Sequence, residues 1–203
     1  MGLLVSEPVS LPALYVSTGS HTKFIAIDDQ ARIEWSLTTL SGELVWALHR
    51  ETILAELIDP AGTIVDTAAL LEGADCAERL GLSRALFMAR LLNRTRGMDP
   101  ASCSDFIHGA IASSDMHALR RARRDRQAQP AQVVIAGTGG PLAAAYRHFL
   151  EAEPWVQGLL RTESPIGALG AFALYGELVR SEAPRRDGPA GTNSTKEVSN
   201  AIE

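Results

Sequence analysis

The stretch that decides the fold is LYVSTGSHTKF, residues 14–24. It overlaps two short apolar segments, residues 13–16 and 24–27, whose β-branched and aromatic side chains are typical of buried strands. Residues 17–23, which join them, are small, hydroxylated or basic, as in a tight turn. The stretch therefore predicts a β-hairpin.

The turn of this hairpin could bind an anion. Gly19 lets a ligand approach the backbone closely. Side-chain donors surround it, and together with exposed backbone amides they would form an anion-binding nest. These donors belong to Thr18, Ser20, His21, Thr22 and Lys23. An ordinary polar hairpin has the same composition, so the loop alone leaves both interpretations open, and His21 could donate to a phosphate or only stabilise the loop.

A third strand and a helix are predicted after the hairpin. Apolar and polar residues alternate over residues 32–38, which indicates a strand with one wet face. Ser41 is expected to cap a helix that begins at Gly42 and Glu43. The three strands would form a meander.

The middle of the chain is predicted to be mainly helical. Residues 67–96 show helical spacing with breaks expected near Gly73 and Gly81. Gly97 is expected to end this segment, and Asp99 followed by Pro100 indicates the start of another helix.

A second glycine loop follows a compact apolar strand predicted at residues 132–136. A helix is predicted from Pro141 to about residue 152, so free amides and the helix dipole would both favour an anion or the polar edge of a nucleotide. The loop matches neither a Walker motif nor a dinucleotide fingerprint, and a plain strand-to-helix turn is the alternative. The loop residues are Gly137, Thr138, Gly139 and Gly140.

The order of elements predicts an α/β fold with a mixed sheet, an opening three-strand meander and packed helices. A strand over residues 155–160 and a helix over residues 165–179 would complete it. The later residues lose almost all apolar character, so they are predicted to be disordered. The expected division is an N-terminal extension over residues 1–12, one lobe over 13–180 and a disordered tail over 181–203.

Composition limits the function further. The formal net charge of -5 argues against an extended nucleic-acid or anionic-membrane surface, and no secretion signal is evident, so a cytoplasmic protein is expected. The basic run at residues 120–126 is expected to be a solvated helix face. No metal-ligand spacing links Cys76, Cys103 and the histidines, so no metal site is predicted. Core positions are expected for Trp35, Trp46 and Trp155, and surface or capping roles for His49, His108, His117 and His148.

Two stretches resemble the C-terminal half of 2-keto-3-deoxygalactonate kinases. They are residues 14–24 and the later run Thr-Leu-Ser-Gly-Glu-Leu at residues 39–44. In that family the corresponding stretches read approximately Leu-Tyr-Val, then a Gly-Thr-His-x-Lys-Trp-like motif, and later Thr-Gly-Glu-Leu. Residues 133–146 are similar to the family's glycine turn with its Ala-rich helix. The resemblance extends over about residues 14–179.

The resemblance implies one lobe of an actin-like ATPase (ribonuclease H-like) fold. Family members use ATP to phosphorylate the 6-hydroxyl of a 2-keto-3-deoxy sugar acid, here 2-dehydro-3-deoxy-D-galactonate. The resemblance implies that residues 18–23 face the ATP phosphates, that Gly42 and Glu43 lie at the nucleotide, and that residues 137–140 face the adenosine. It also implies ATP and Mg²⁺ as cofactors. Glu43 could reach the metal through water or orient a neighbouring loop, although a glutamate in a first helical turn is favoured by the dipole alone.

The sequence departs from the family at two places. Relatives begin with an N-terminal lobe that carries an Asp-Trp-Gly-Ser-Thr-Asn hairpin, to which nothing here corresponds. The chain is therefore expected to supply the C-terminal lobe alone and to need a separate N-terminal lobe or a homo-oligomer, and no catalytic base is identified. A non-catalytic nucleotide-binding or regulatory module is the alternative, and a remnant that binds nothing is the third. Asp115 stands where relatives have a glutamate and would reach less far toward a nucleotide.

Overall fold

The computed structural model describes residues 9–137 and 139–162. Five strands form one sheet: β1 Ala13–Ser17, β2 Thr22–Ile27, β3 Ile33–Thr39, β4 Ala131–Ala136 and β5 Val156–Thr162. Their order across the sheet is β3-β2-β1-β4-β5. The first three strands form an antiparallel meander, and β4 runs parallel to both β1 and β5. The predicted α/β class, mixed sheet and opening meander are confirmed.

Helices connect β3 to β4 and β4 to β5. They are α1 Ser41–Glu51, α2 Thr67–Leu80, α3 Leu82–Arg96, α4 Pro100–Asp125 and α5 Pro141–Glu151, with a short 3₁₀ turn at Ala55–Leu57. Local chemistry explains the predicted boundaries. The Asp99 carboxylate accepts hydrogen bonds from the first amides of α4, and Gly97 ends α3 in the left-handed conformation with φ 68°.

The core lies between one face of the sheet and helices α2, α4 and α5. Strands β1, β2 and β4 contribute fully buried Leu14, Phe24 and Val133, and α4 and α5 contribute Met116 and Leu150. A second cluster packs α1, α2, α3 and α4 against one another. The helices therefore form a layer that supports the sheet and the loops at its edge.

Gly73 does not break a helix, contrary to the prediction. It lies inside α2, where a Cβ atom would stand 1.9 Å from the carbonyl oxygen of Phe106. Gly109 on α4 faces α2 in the same way, because its Cβ would stand 2.0 Å from the carbonyl oxygen of Leu70. These glycines permit a close crossing of two helices rather than a turn. The break at Gly81 is confirmed.

Two further expectations are wrong because tertiary contacts decide them, and the expected solvated face of the basic run fails at Arg123, although its other arginines are exposed. Leu40 occupies the N-cap position of α1, and Ser41 is the first helical residue, with its hydroxyl turned toward α4. Trp46 is 47% exposed rather than part of the core. Arg123, in the basic run, is buried, with its guanidinium 3.7 Å from the centre of the Trp155 ring.

The predicted helix at residues 165–179, the tail at 181–203 and most of the extension at 1–12 lie outside the described residues. Within residues 9–137 and 139–162, no helix has both the length and the apolar character needed to cross a membrane.

Candidate functional site

The hairpin and the glycine loop lie side by side at one end of the sheet. Strands β1 and β4 run parallel, with Ser17 opposite Ala136, so the loops that follow them leave the same edge. The backbone N–H of Thr18 donates to the carbonyl of Ala136 over 3.1 Å. A Cβ atom at Gly137 would stand 2.3 Å from Oγ1 of Thr18, so only glycine allows this approach. The structure thus brings together two loops that are about 120 residues apart.

Residues 18–21 form the tip of the hairpin, and the start of α1 supports it from behind. Gly42 touches this tip, because its Cβ would stand 1.9 Å from the carbonyl oxygen of Gly19. The amide of Glu43 donates to the carbonyl of Ser20 over 2.7 Å. The Glu43 carboxylate lies 3.1 Å from Nε2 of His21, on the surface of the molecule. We call residues 18–21 with this support the hairpin wall.

Two predicted phosphate-binding residues belong to strand β2 instead of the tip. Thr22 is fully buried, and its hydroxyl pairs with the Tyr146 hydroxyl over 3.3 Å. Its hydroxyl is therefore not a donor to a ligand at the tip. The alternation along β2 places Thr22 on the same buried face as Phe24, a signal that could have revealed this. Lys23 points to solvent, with Nζ 3.5 Å from the carbonyl of His21.

A buried network of hydroxyl groups lies beneath the hairpin wall. Oδ2 of Asp115 on α4 accepts hydrogen bonds from Thr39 at 2.7 Å, from Ser41 and from Tyr146. Burial, together with the neighbouring carboxylate, raises the pKa of Tyr146 above its usual value, so its hydroxyl stays protonated and donates. Asp115 therefore joins β3, α1, α4 and α5 through its carboxylate. That it reaches less far toward a nucleotide than a glutamate would stays a prediction.

The glycine loop forms the opposite side, which we call the turn wall. Gly139 and Gly140 have φ angles of 88° and 89°, a region that residues with a side chain rarely adopt. Pro141 is the first residue of α5, where its lack of an N–H costs nothing. The turn therefore presents backbone amides at the positive end of the α5 dipole. Thr138 lies outside the described residues.

Two hollows flank the turn wall. The first, which we call the cleft, has a volume of about 100 Å³ and separates Thr18 and Gly19 from Gly139 and Gly140. The second, which we call the arginine cavity, has a volume of about 210 Å³ on the other side of the turn. It is lined by Thr63, Gly137, Gly139, Gly140, Arg147 and Arg161. A ligand that crosses the turn could occupy both hollows.

His108 lies at the floor of the cleft. A surface or capping role was expected, yet His108 is fully buried in the interior of α4. Burial lowers its pKa to about 4, so the ring is neutral near pH 7. Sequence periodicity offers a weak signal, since His108 belongs to the long run of small and apolar residues from Phe106 to Ala112 that α4 buries.

The acidic side chains near the hairpin tip decide whether the site suits a magnesium ion. Within the described parts of the chain, no three His, Cys, Asp or Glu side chains come together as a metal site. Glu43 is the carboxylate beside the hairpin tip. Proteins often bind Mg²⁺ through one or two carboxylates plus the phosphates of a substrate. A single carboxylate here fits a metal held chiefly by a nucleotide.

Comparisons with known proteins identify the family of the chain and a similar fold. A family model described as 2-keto-3-deoxy-galactonokinase matches residues 1–165. The fold is similar to that of a crystal structure from Sinorhizobium meliloti, provisionally described as a 2-dehydro-3-deoxygalactonokinase, with a TM-score of 0.66 and 21% sequence identity. The alignment covers 90% of this chain and 58% of that one. No curated protein matches the chain significantly.

Proposed function

The chain belongs to the 2-keto-3-deoxy-galactonokinase family, and from this premise we propose that it supplies the nucleotide-binding lobe of a sugar-acid kinase. In the proposed reaction, the γ-phosphoryl group of ATP passes to the 6-hydroxyl of 2-dehydro-3-deoxy-D-galactonate, in the cytoplasm. The alignment covers 58% of the Sinorhizobium meliloti protein, and phosphoryl transfer would also need the part of such a kinase that the alignment leaves out.

We also propose that the fold is one lobe of the actin-like type. Its support is the sheet, in which an antiparallel meander is extended by two parallel strands, and the strand, glycine turn and helix unit formed by β4 and α5. Both features agree with what the resemblance implied.

The observation that carries the proposal is the meeting of the two walls. Because β1 and β4 pair in parallel, the hairpin tip and the glycine turn leave the same edge of the sheet, and Thr18, Gly19, Gly139 and Gly140 line one hollow. A phosphate chain between them would be contacted by Thr18, Gly19, Ser20 and His21 on one side. Gly137, Gly139 and Gly140 would lie on the other side, against the nucleoside and the phosphate next to it. Exposed amides at a helix N-terminus and in a turn favour negative charge.

Bound Mg²⁺ would neutralise phosphate charge as it develops during transfer. On the chain itself, Glu43 would hold water around that ion or fix the orientation of His21, with which it already pairs. Lys23 would add positive charge at the edge of the hairpin. Thr22 and Asp115 would act indirectly, by fixing the shape of the hairpin wall from beneath.

A second candidate is a module that binds a nucleotide without catalysing transfer. The observation in its favour is that the described residues lining the cleft and the arginine cavity include no carboxylate. Kinases commonly use an aspartate to accept or orient the proton of the attacking hydroxyl. A base would therefore have to come from outside these two hollows.

Binding of Mg·ATP to the purified chain tests both candidates together. Occupied sites stabilise the folded state by RT ln(1 + [ATP]/Kd), so the melting temperature should rise steadily with nucleotide concentration. Gly137→Val is the matched variant, since its side chain would fill the contact with Thr18, and it should show no such rise. An unchanged melting temperature of the wild-type chain at millimolar Mg·ATP would exclude both candidates.

A transfer assay separates the two. The chain is incubated with Mg·ATP and 2-dehydro-3-deoxy-D-galactonate, alone and with a separately produced N-terminal lobe of a relative, and the phosphorylated sugar acid is detected by mass spectrometry. Product formed only when that lobe is present supports the kinase. Tight nucleotide binding with no product in either mixture supports the non-catalytic module.

A further inference from the structure

His108 carries a nitrogen that has no partner among the described residues. Its Nδ1 lies 2.7 Å from the carbonyl oxygen of Ser104, one turn earlier in α4. Because a carbonyl only accepts hydrogen bonds, Nδ1 must carry the proton. In the neutral ring, Nε2 then presents a lone pair, and this atom is buried without a hydrogen bond. Such a group normally finds a partner, since an unpaired buried polar atom is costly.

The position of the ring relates this lone pair to the cleft. Nδ1 is turned back toward the backbone of α4, so the opposite edge of the ring faces away from that helix. His108 is also one of the residues that line the cleft, where its neighbours on the floor are Val45 and Leu142. These apolar side chains offer Nε2 no hydrogen bond. A donor that enters from the cleft would supply the missing partner.

The rim and the floor of the cleft have opposite hydrogen-bonding character. Gly139 and Gly140 at the rim precede α5 and offer amide donors, which suit an anion. The floor offers one acceptor and would repel a bare phosphate oxygen. A ligand that pairs with both the amides at the rim and the acceptor at the floor has negative charge at one position and a hydroxyl group at another. Because Nε2 is buried, a side chain at the floor of the cleft must shift slightly before a ligand hydroxyl can reach this atom.

We propose that the cleft binds a phosphate ester with a free hydroxyl, placing the phosphate at the rim formed by Gly139 and Gly140 and the hydroxyl against Nε2 of His108. The inference deepens the proposed function and rests on it, because a nucleotide, with its ribose hydroxyls, belongs to this class. The phosphorylated sugar acid belongs to it as well. The two sources share the same chemistry and are distinguished by experiment.

Nitrogen NMR of the histidine-labelled full chain reports directly on this contact. Hydrogen-bond donation to Nε2 moves its ¹⁵N resonance upfield. Mg·ATP should cause this shift, while tripolyphosphate, which has no hydroxyl, should not. The 2′-deoxy and 3′-deoxy analogues identify which ribose hydroxyl is involved. A shift caused only by the phosphorylated sugar acid would assign the subsite to that compound.

The possible results distinguish failure of the His108 subsite from failure of the proposed function. ATP that binds while Nε2 stays unchanged, with no shift from the sugar-acid phosphate, would show that a buried water alone satisfies His108, and the subsite would be wrong although the proposed function stands. A shift from the sugar-acid phosphate without any ATP binding would overturn the proposed function and keep the subsite. No binding of any of these compounds would overturn both.

Substitution provides an independent readout. In the wild type, the analogue that lacks the recognised hydroxyl should bind about tenfold more weakly than the parent compound, the usual effect of one hydrogen bond. His108→Leu should reduce this ratio to about one, and His108→Gln, which keeps an acceptor, should restore part of it. His117→Gln is the control, because His117 lies on the same helix and does not line the cleft. An unaltered ratio in His108→Leu would refute the subsite.

Discussion

The hairpin wall and the turn wall face each other across the cleft, but different forces hold them. The hairpin tip is fixed by contacts with α1, including Gly42 against Gly19 and the hydrogen bond from Glu43 to Ser20. The turn wall is fixed by its own backbone, since Gly139 and Gly140 have positive φ angles and a Cβ atom at Gly140 would meet nothing within 4 Å. One wall thus depends on packing and the other on conformation.

This difference predicts how each wall responds to amino-acid substitution. A packed wall cannot move without moving the helix behind it, because cores and interfaces are close-packed. A turn maintained by glycine conformation can shift locally at moderate cost. Substitutions at the packed contact between the hairpin tip and α1 should therefore have large effects on stability and binding together, and substitutions in the turn wall should affect binding more than stability.

Gly42→Ala should have the largest effect. Its methyl group would overlap the carbonyl of Gly19, so α1 and the hairpin would have to separate, at a cost of about 3 kcal/mol of unfolding free energy. Urea denaturation measures this, and nucleotide binding should be lost as well. Gly19→Ala is the matched control, because nothing lies within 4 Å of its Cβ. Equal stability of the two variants would show that packing does not hold the hairpin wall.

Acid should lower the free energy of unfolding through His108, which lies at the floor of the cleft between the two walls. The pKa of His108 is about 4 in the folded chain, against an ordinary value of 6.5. Between these values the unfolded chain binds more protons, so this contribution to stability is complete above pH 6.5 and is lost as the pH falls toward 4, by about 3 kcal/mol in all. Urea denaturation across this range should give a clearly flatter curve for His108→Gln than for the wild type. Parallel curves would contradict a buried neutral histidine.

Tyr146→Phe should have the next largest effect. It removes one hydroxyl from the Asp115 network and leaves the Thr22 hydroxyl without its partner, at a cost of about 2 kcal/mol. Because the network lies under the hairpin wall, nucleotide affinity should decrease even though Tyr146 does not line the cleft. Thr95→Val on the surface of α3 is a control that removes a hydroxyl bonded only to its own helix. Normal affinity in Tyr146→Phe would show that the network does not position the hairpin.

Gly140→Ala should have a smaller effect on stability. The methyl group has free space, so the cost is the positive φ angle alone, about 1 kcal/mol. The turn should relax locally, which would weaken nucleotide binding more than it lowers the melting temperature. Thermal denaturation and calorimetric titration of the same sample compare the two quantities. A loss of stability as large as that of Gly42→Ala would remove the distinction between the walls.

Glu43→Gln should have the smallest effect. The pair with His21 is largely exposed, and such pairs contribute less than about 1 kcal/mol. The amide of residue 43, which bonds to Ser20, remains. Stability should be nearly unchanged, and any decrease in Mg·ATP affinity measured by calorimetry would be assigned to the carboxylate itself.

Local rules predicted much of this fold. The hairpin follows from turn residues between apolar segments, and the limits of α3 and α4 follow from Gly97, Asp99 and Pro100. The two candidate loops were also predictable, because glycines after a strand and hydroxyls in a hairpin are visible without knowledge of the fold. Their adjacency required the family resemblance as well.

Long-range contacts decided the rest. Gly73 looks like a helix break until α4 is placed against it, and Ser41 looks like a cap until Asp115 is placed beside it. Thr22 and His108 have polar side chains that are common in exposed positions, yet both are fully buried here. In each case the partner lies on an element distant in sequence, which spacing and composition do not reveal.

The parallel pairing of β1 with β4 also has a consequence for folding. More than one hundred residues separate the two strands, so bringing them together requires closure of a long loop, and such non-local pairing is slow compared with helix formation. The helices between them can form earlier, whereas both walls come together only when this pair closes. Ligand binding should therefore be acquired late during refolding, which makes it a reporter of completed folding rather than of helix content.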